Sequence, residues 1–331
     1  MSVTKAVLSL AVLGLGVTLW SVVAMADTVV ENESSAPIPV ILDTDIGDDI
    51  DDTWALAMIL GSPELDLKLV VTGTGNTEAK AQLTAKYLER AGRTDVPVGI
   101  GVKTGDKKPR QHEWAKDYDL DSYPGTVHKD GIAAMIDLIR SSAGETVLLA
   151  IGPLTNVAEA LRREPAIAEK ARFVSMAGSV NFKYGGVPGR APEYNVVRDT
   201  AASKTVFSAP WDITITPLDT CGIIVLKGDR YAAVRDSKKP AAVALIENYR
   251  VWSRRDARKK NKPIVASSTL FDTVAVYLVF DTSFCEMKDI AITINDKGET
   301  VPDPNGKTMH VALNWKDRDA FETLLANRIA E

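Results

Sequence analysis

The ten residues Asp43-Thr-Asp-Ile-Gly-Asp-Asp-Ile-Asp-Asp52 carry six carboxylates. Acidic side chains favour a helix N-terminus, where each contributes about 0.3–1 kcal/mol. That accounts for one or two of them and not for six. Two like charges ~5 Å apart at an effective dielectric of ~20 repel by about 3 kcal/mol. A cluster this dense calls for a cation, or for some of its members to be protonated. Donors that are all oxygen select calcium or magnesium over zinc.

Three familiar motifs fail at this position. An EF-hand loop counted from Asp43 needs Asp or Asn fifth, Gly sixth and Glu twelfth, and Gly47, Asp48 and Trp54 stand there. A phosphatase that forms an aspartyl phosphate needs Thr or Val two residues after Asp45, where Gly47 stands. Gly73-Thr-Gly75 lacks the third glycine of a dinucleotide fingerprint.

The cluster must be positioned by the elements around it. Nearly continuous apolar runs recur at Pro39-Val-Ile-Leu42, Lys68-Leu-Val-Val71, Val96-Pro-Val-Gly-Ile100, Thr146-Val-Leu-Leu-Ala-Ile151, Arg172-Phe-Val-Ser-Met176 and Trp211-Asp-Ile-Thr-Ile-Thr216. Buried parallel strands read this way. Helical patterns at 53–61, 77–91, 129–142, 155–163 and 199–208 lie between them. The spacing predicts a single α/β domain over 37–331, with a mainly parallel, Rossmann-like wound sheet flanked by helices. Ligands of such sheets bind beyond the carboxyl ends of the strands. After Cys221, helices are expected at 240–252, 268–280 and 317–329. Strands at 290–294 and 309–314 should form a small C-terminal antiparallel extension. Irregular stretches at 103–126, 180–192 and 253–267 are long enough to be functional and are expected to rim the ligand site.

These residues resemble the inosine–uridine preferring nucleoside hydrolases. The hallmark is a strand ending Asp-x-Asp-x-Gly, here Asp43-Thr-Asp45-Ile-Gly47, then an aspartate pair opening a helix, here Asp51-Asp52. Val70-Val-Thr-Gly-Thr-Gly-Asn76, Leu149-Ala-Ile-Gly-Pro-Leu-Thr-Asn156, Pro192-Glu-Tyr-Asn195 and Ser267-Ser-Thr-Leu-Phe-Asp272 resemble four further family motifs in the right order. The resemblance implies hydrolysis of the N-glycosidic bond of ribonucleosides. It implies a calcium ion held by Asp45, Asp52, Asp272 and the Ile151 carbonyl, with Asp45 as the base that activates water. It implies Asp51 and Asn195 on the ribose 2′-hydroxyl, Asn76 near the 3′-hydroxyl and Glu193 at the 5′ end. Asp43 and Asp49 are expected to support the loop by hydrogen bonds. A homodimer or homotetramer is also implied.

One departure stands out. Familiar members carry a His just before the last aspartate as proton donor to the leaving base, and this chain has Phe271. Its three histidines, His112, His128 and His310, lie elsewhere. Trp114 and Trp252 are candidates to stack on the base, with His112 as a proton donor if its loop closes. Because purines protonate more readily than uracil, a purine preference is expected.

The N-terminus reads as a signal peptide over 1–26: Lys5, an apolar run to Trp20, and the small-x-small site Ala24-Met25-Ala26. A polar tether follows at 27–36. The chain is therefore expected to be exported, periplasmic or secreted, with no membrane association once the leader is removed. A net charge of −5 argues against nucleic acid as partner, and the basic run Arg254 to Lys262 reads as a solvated loop. Cys221 and Cys285 are open to pairing or to remaining as buried thiols. Two other classes compete with the enzyme: an exported solute-binding protein for a nucleoside or sugar, and a calcium-stabilised assembly module. The first leaves the carboxylate cluster unexplained and needs a two-lobe repeat that the sequence lacks. The second predicts calcium-dependent stability without turnover.

Overall fold

Successive residues of a strand point to opposite faces. In the strand Ile38–Thr44 both faces are covered: Val40 and Leu42 join one buried apolar cluster and Ile41 joins the other. Thr146–Ala150 repeats the pattern, with Val147 and Leu149 on one side and Leu148 and Ala150 on the other. Each such aliphatic side chain contributes roughly 1.5–3 kcal/mol on burial, which is why these runs need no polar alternation.

The computed structural model describes residues 36–254 and 263–331, and Ala36–Glu331 is one compact unit. The leader, most of the tether and the basic run from 255 to 262 lie outside the described residues. The strands are β1 (Ile38–Thr44), β2 (Leu65–Thr72), β3 (Val98–Ile100), β4 (Val127–His128), β5 (Thr146–Ala150), β6 (Ala171–Met176), β7 (Phe182–Lys183), β8 (Val187–Pro188), β9 (Ile213–Thr216), β10 (Cys285–Ile294), β11 (Thr300–Pro302) and β12 (Lys307–Trp315). Ten of them form one sheet in the order β11-β10-β12-β9-β6-β5-β1-β2-β3-β4, and β7 and β8 form a separate small hairpin.

From β4 across to β12 every pairing in the large sheet is parallel, and only β10 and β11 are antiparallel. The antiparallel C-terminal strands are thus joined to the main sheet through β12, which runs parallel to β9 at His310 and Val311. The chain winds outward from β1 through β2 and β3, then returns to the other side of β1 with β5. That reversal is a topological switch point, where such sheets open a crevice at the carboxyl ends of their strands.

The first six α-helices are α1 (Asp51–Leu60), α2 (Thr77–Arg90), α3 (His112–Ala115), α4 (Gly131–Ser141), α5 (Thr155–Arg163) and α6 (Tyr194–Arg198); α1, α2, α6 and, later in the chain, the helix Asp272–Phe280 bring residues to this crevice. Nine of the ten residues of α1 are buried, and Asp272–Phe280 is buried over its first eight. These two helices pack on each other, and the aspartates at their amino ends come together. Cys221 and Cys285 are both buried and free. Among the described residues no helix is long and apolar enough to cross a membrane.

Candidate active site

A cavity of about 490 Å³ opens at the switch point. Its floor is acidic. Asp45 follows β1 directly, Asp51 and Asp52 form the first turn of α1, and Asp272 opens its own helix. All four are at most 7% exposed. A helix N-terminus favours negative charge, which is why two converging helices can present three of them. Oxygens of Asp51, Asp52 and Asp272 lie within 4.8 Å of one another. Thr44 Oγ1 donates to Asp52 Oδ1, fixing one oxygen of that carboxylate.

Two glycines permit this approach. A Cβ on Gly152, just after β5, would lie 2.7 Å from the Asp45 nitrogen, so only glycine lets the β5–α5 turn pass there. Gly47 has φ +106 and turns the chain between Asp45 and Asp48.

Asp43 stands behind the floor. Asn156 Nδ2 donates to Asp43 Oδ1 at 2.7 Å and to the Thr72 carbonyl, while Asn156 Oδ1 accepts from Val102 N. One amide thus ties β1, β2 and the chain after β3 together, the supporting role expected of Asp43. Asp49 Oδ1 accepts from Ile50 N, also as expected of a loop residue.

The walls carry polar groups as well. Asn195 Nδ2 donates to the Ile151 carbonyl at 3.0 Å, and both residues line the cavity. Glu193 caps α6: its carboxylate accepts from Gly178, Asn195 and Val196 N. Asn76 caps α2 through Ala79 N and also lines the cavity. Thr74 lines it too, with φ 58, a left-handed conformation that is costly for a β-branched residue. Its hydroxyl is buried without a partner among the described residues.

Burial dominates the electrostatics. It raises Asp43 to about 7, with the Asn156 hydrogen bond opposing. It raises Asp45 to about 6, opposed by Lys80 and aided by Asp48 and Asp49. Asp51 rises to about 8, and Asp52 and Asp272 rise well above the carboxylate range, from burial and then from their charged neighbours. The buried cation among the lining residues is Lys80, 1% exposed, and its ammonium is already engaged with Asp48 and the Asp45 carbonyl. Four buried carboxylates with so little countercharge, beside the Ile151 carbonyl that lines the same cavity, fit a hard divalent cation.

The structure brings Asp45, Asp51, Asp52, Asp272, Ile151, Asn76, Glu193 and Asn195 to one cavity. It corrects three other expectations. Trp114 is 7% exposed, packs on Tyr87 and lies under the Lys86 ammonium, so α2 claims it as core. Trp252 stacks on Tyr249 and donates from its indole to the Asp48 carbonyl at 3.2 Å, bracing the loop without lining the cavity. His112 opens the short helix α3 and does not line the cavity either. The aromatic wall is built instead by Tyr184, Tyr194 and Phe271, with Tyr184 edge-on to Phe271 at 5.9 Å.

Lys80 was not singled out from sequence, although the signal is present. It falls on the buried stripe of α2 with Thr77, Ala81, Thr84 and Leu88, and a lysine on such a stripe calls for a partner.

A family model described as inosine-uridine preferring nucleoside hydrolase matches residues 40–323. A probable uridine nucleosidase of Oryza sativa subsp. japonica is 30% identical over 67% of this chain and 72% of its own length. A pyrimidine-specific ribonucleoside hydrolase of Enterobacter sp. (strain 638) is 28% identical over 89% of this chain and 98% of its own. Among solved structures, a plant nucleoside hydrolase superposes with a TM-score of 0.74 at 23% identity, covering 89% of this chain and 99% of that one.

Proposed function

Because the chain belongs to the inosine-uridine preferring nucleoside hydrolase family, whose members hydrolyse the N-glycosidic bond of ribonucleosides, we propose that it does so with a calcium ion and prefers purine ribonucleosides. The observation that carries the calcium reading is the convergence of Asp51, Asp52 and Asp272 beside Asp45 with so little buried countercharge. Asp45, Asp52, Asp272 and the Ile151 carbonyl would hold the ion. When bound, it supplies positive charge that acidifies a nearby water and orients the ribose diol.

The chain's own groups do the rest. Asp45 takes the proton of the attacking water. Burial raises its pKa and a bound cation would lower it again, so the carboxylate stays ionised at neutral pH, as a base must be. Asp51 and Asn195 bind the 2′-hydroxyl, Asn76 lies by the 3′-hydroxyl, and Glu193 lies by the 5′ end. Thr74 offers its unpartnered hydroxyl to the sugar. As the bond to the base stretches, the sugar gains oxocarbenium character, and the surrounding carboxylates stabilise that charge.

The purine reading rests on Phe271. No imidazole adjoins Asp272, and burial pushes the nearby Tyr184 phenol far above its ordinary pKa, making it a poor acid. The leaving base must draw its proton from water, which favours purines with their basic N7. Tyr184 and Phe271 replace the two tryptophans as the surfaces on which a base would stack. The names of the relatives above point the other way, to uridine and pyrimidines, so a comparison of inosine, guanosine, adenosine and uridine decides the point.

The solute-binding alternative finds no support. One continuous sheet bears the site, and the family is one of hydrolases. The reading also takes the chain as exported, on the leader pattern of residues 1–26, and as a homodimer or homotetramer. Release of free ribose from purified protein, with and without chelator, tests the proposal.

A further inference from the structure

The loop that carries the aspartates is held by its main chain. Between β1 and α1, four carbonyls accept hydrogen bonds from donors far along the chain. Asp45 accepts from the Lys80 ammonium at 2.7 Å, Gly47 from Gln111 N at 2.8 Å, Asp48 from the Trp252 indole at 3.2 Å, and Asp49 from the Gln111 side-chain amide. Gln111 thus supplies two of the four. It stands just before α3 and is fully buried. The stretch that brings it there lies directly on the loop, since a Cβ on Gly47 would meet the Pro109 Cβ at 3.1 Å.

Both ends of the Gln111 amide are engaged. Its Nε2 donates to the Asp49 carbonyl, and its Oε1 accepts from the Thr53 hydroxyl at 3.2 Å and from Asn248 Nδ2 at 2.6 Å. A carbonyl only accepts, so the nitrogen must face Asp49 and the orientation of the amide is fixed. Asp49 stands two residues before the Asp51-Asp52 pair, and Thr53 follows the pair directly. One side chain therefore brackets the pair from both sides of the helix start. Thr53 and Asn248 are also fully buried, and Asn248 comes from the helix Pro240–Ser253. Gln111 does not line the cavity, so its effect there passes through the loop.

Oxygens of Asp51, Asp52 and Asp272 lie within 4.8 Å of one another, and ionised carboxylates that close repel. A loop free to move would open under that repulsion. Cation binding would then have to close it, and affinity would fall, because rigidity tunes the strength of an oxygen-ligand site and preorganisation lowers the cost of binding. We propose that Gln111 is a positioning residue of the metal site: by bridging Asp49 and Thr53 it holds Asp51 and Asp52 at binding distance before the cation arrives. This role rests on the calcium reading above and extends it. It gives the irregular stretch 103–126 a part in metal binding, in place of the base contacts expected of Trp114 and His112.

The test is a calorimetric calcium titration of the metal-stripped protein, without substrate, in wild type, Gln111→Met, Thr53→Val and Tyr123→Phe. Gln111→Met keeps the length of the side chain and removes its hydrogen bonds. Its calcium Kd should rise by about 10- to 100-fold, the scale on which groups that orient metal ligands act. Thr53→Val, a near-isosteric change, should raise Kd by about two- to tenfold, the worth of one hydrogen bond. Tyr123→Phe removes a buried hydrogen bond to the Val96 carbonyl outside the cavity and should leave Kd unchanged. In saturating calcium, kcat of Gln111→Met on inosine should stay close to the wild-type value, because the cation then draws the aspartates together. An unchanged Kd in Gln111→Met, or in Thr53→Val should the first variant not fold, would overturn the proposal. So would an equal rise in Tyr123→Phe, the mark of general destabilisation. Wild-type protein that binds no calcium would overturn the calcium reading and this role together. The expected Kd shifts in a protein that releases no ribose would sustain the role of Gln111 and overturn the ribonucleoside reading alone.

Discussion

The Lys80 ammonium donates to the main-chain carbonyl of Asp45 at 2.7 Å and pairs with the Asp48 carboxylate at 2.9 Å. A buried cation thus grips the backbone of the proposed base and the loop that follows it. Lys80→Met should remove both contacts while keeping the apolar stem. Asp48 is about a third exposed, which softens the loss by solvent screening. Stability should drop by roughly 1–3 kcal/mol, and kcat should fall by about tenfold, since a small misplacement of a catalytic group has that scale of effect. Thermal denaturation and steady-state kinetics check both. Unchanged kcat would show that Asp45 is positioned without Lys80.

Cation binding and pH should act on stability in opposition. Asp43, Asp51 and Glu193 have folded-state pKa values raised by burial to about 7, 8 and 7. Groups raised on folding stabilise fully below their unfolded pKa, and that contribution is lost as pH rises through the folded pKa. The chelated protein should therefore melt at a lower temperature at pH 8 than at pH 5. Calcium binds the ionised carboxylates, so its stabilising effect should be larger at pH 8. Melting curves at the two pH values, with chelator and with calcium, measure this. An equal calcium effect at both would contradict it.

Thr74→Val should separate stability from activity. The hydroxyl is buried without a partner among the described residues, so replacing it by a methyl of similar shape should leave stability unchanged or raise it by up to about 1 kcal/mol. If the hydroxyl meets the sugar, kcat/KM should fall by about tenfold. A variant as active as the wild type would remove Thr74 from the sugar site.

Phe271→His should restore a proton donor beside Asp272. Turnover of inosine and uridine should rise, because general acid catalysis typically contributes about 10²–10⁴-fold; a partial gain is expected, as the surrounding wall is shaped for Phe271 and Tyr184. A nitrophenyl riboside, whose leaving group needs no proton, should show little change. A gain on all substrates alike would point to an effect other than proton donation.

Much of this architecture is legible in the sequence because burial writes it there. Val40 to Leu42 and Val147 to Ala150 are apolar without alternation, and both faces of their strands are covered. The carboxylate cluster is legible because six charges in ten residues resist any packing explanation. What depends on contacts far along the chain is not legible. Whether Trp114 faces a ligand or the core is decided by Tyr87 and Lys86 on α2. The hairpin that brings Tyr184 to the cavity has strands of two residues, too short to show a period. Gln111 looks like any loop residue until Asn248, 137 positions on, is brought against it.

The central claim is that the converging aspartates form a calcium-dependent site for breaking N-glycosidic bonds. The most direct measurement is ribose released from inosine by purified protein, with calcium, with chelator, and with Asp52→Asn. Sugar should be released with calcium, release should be lost in chelator and recover on adding calcium back, and the Asp52→Asn protein should be folded but inactive and without bound metal. Release that persists in chelator, or in Asp52→Asn, would contradict the claim.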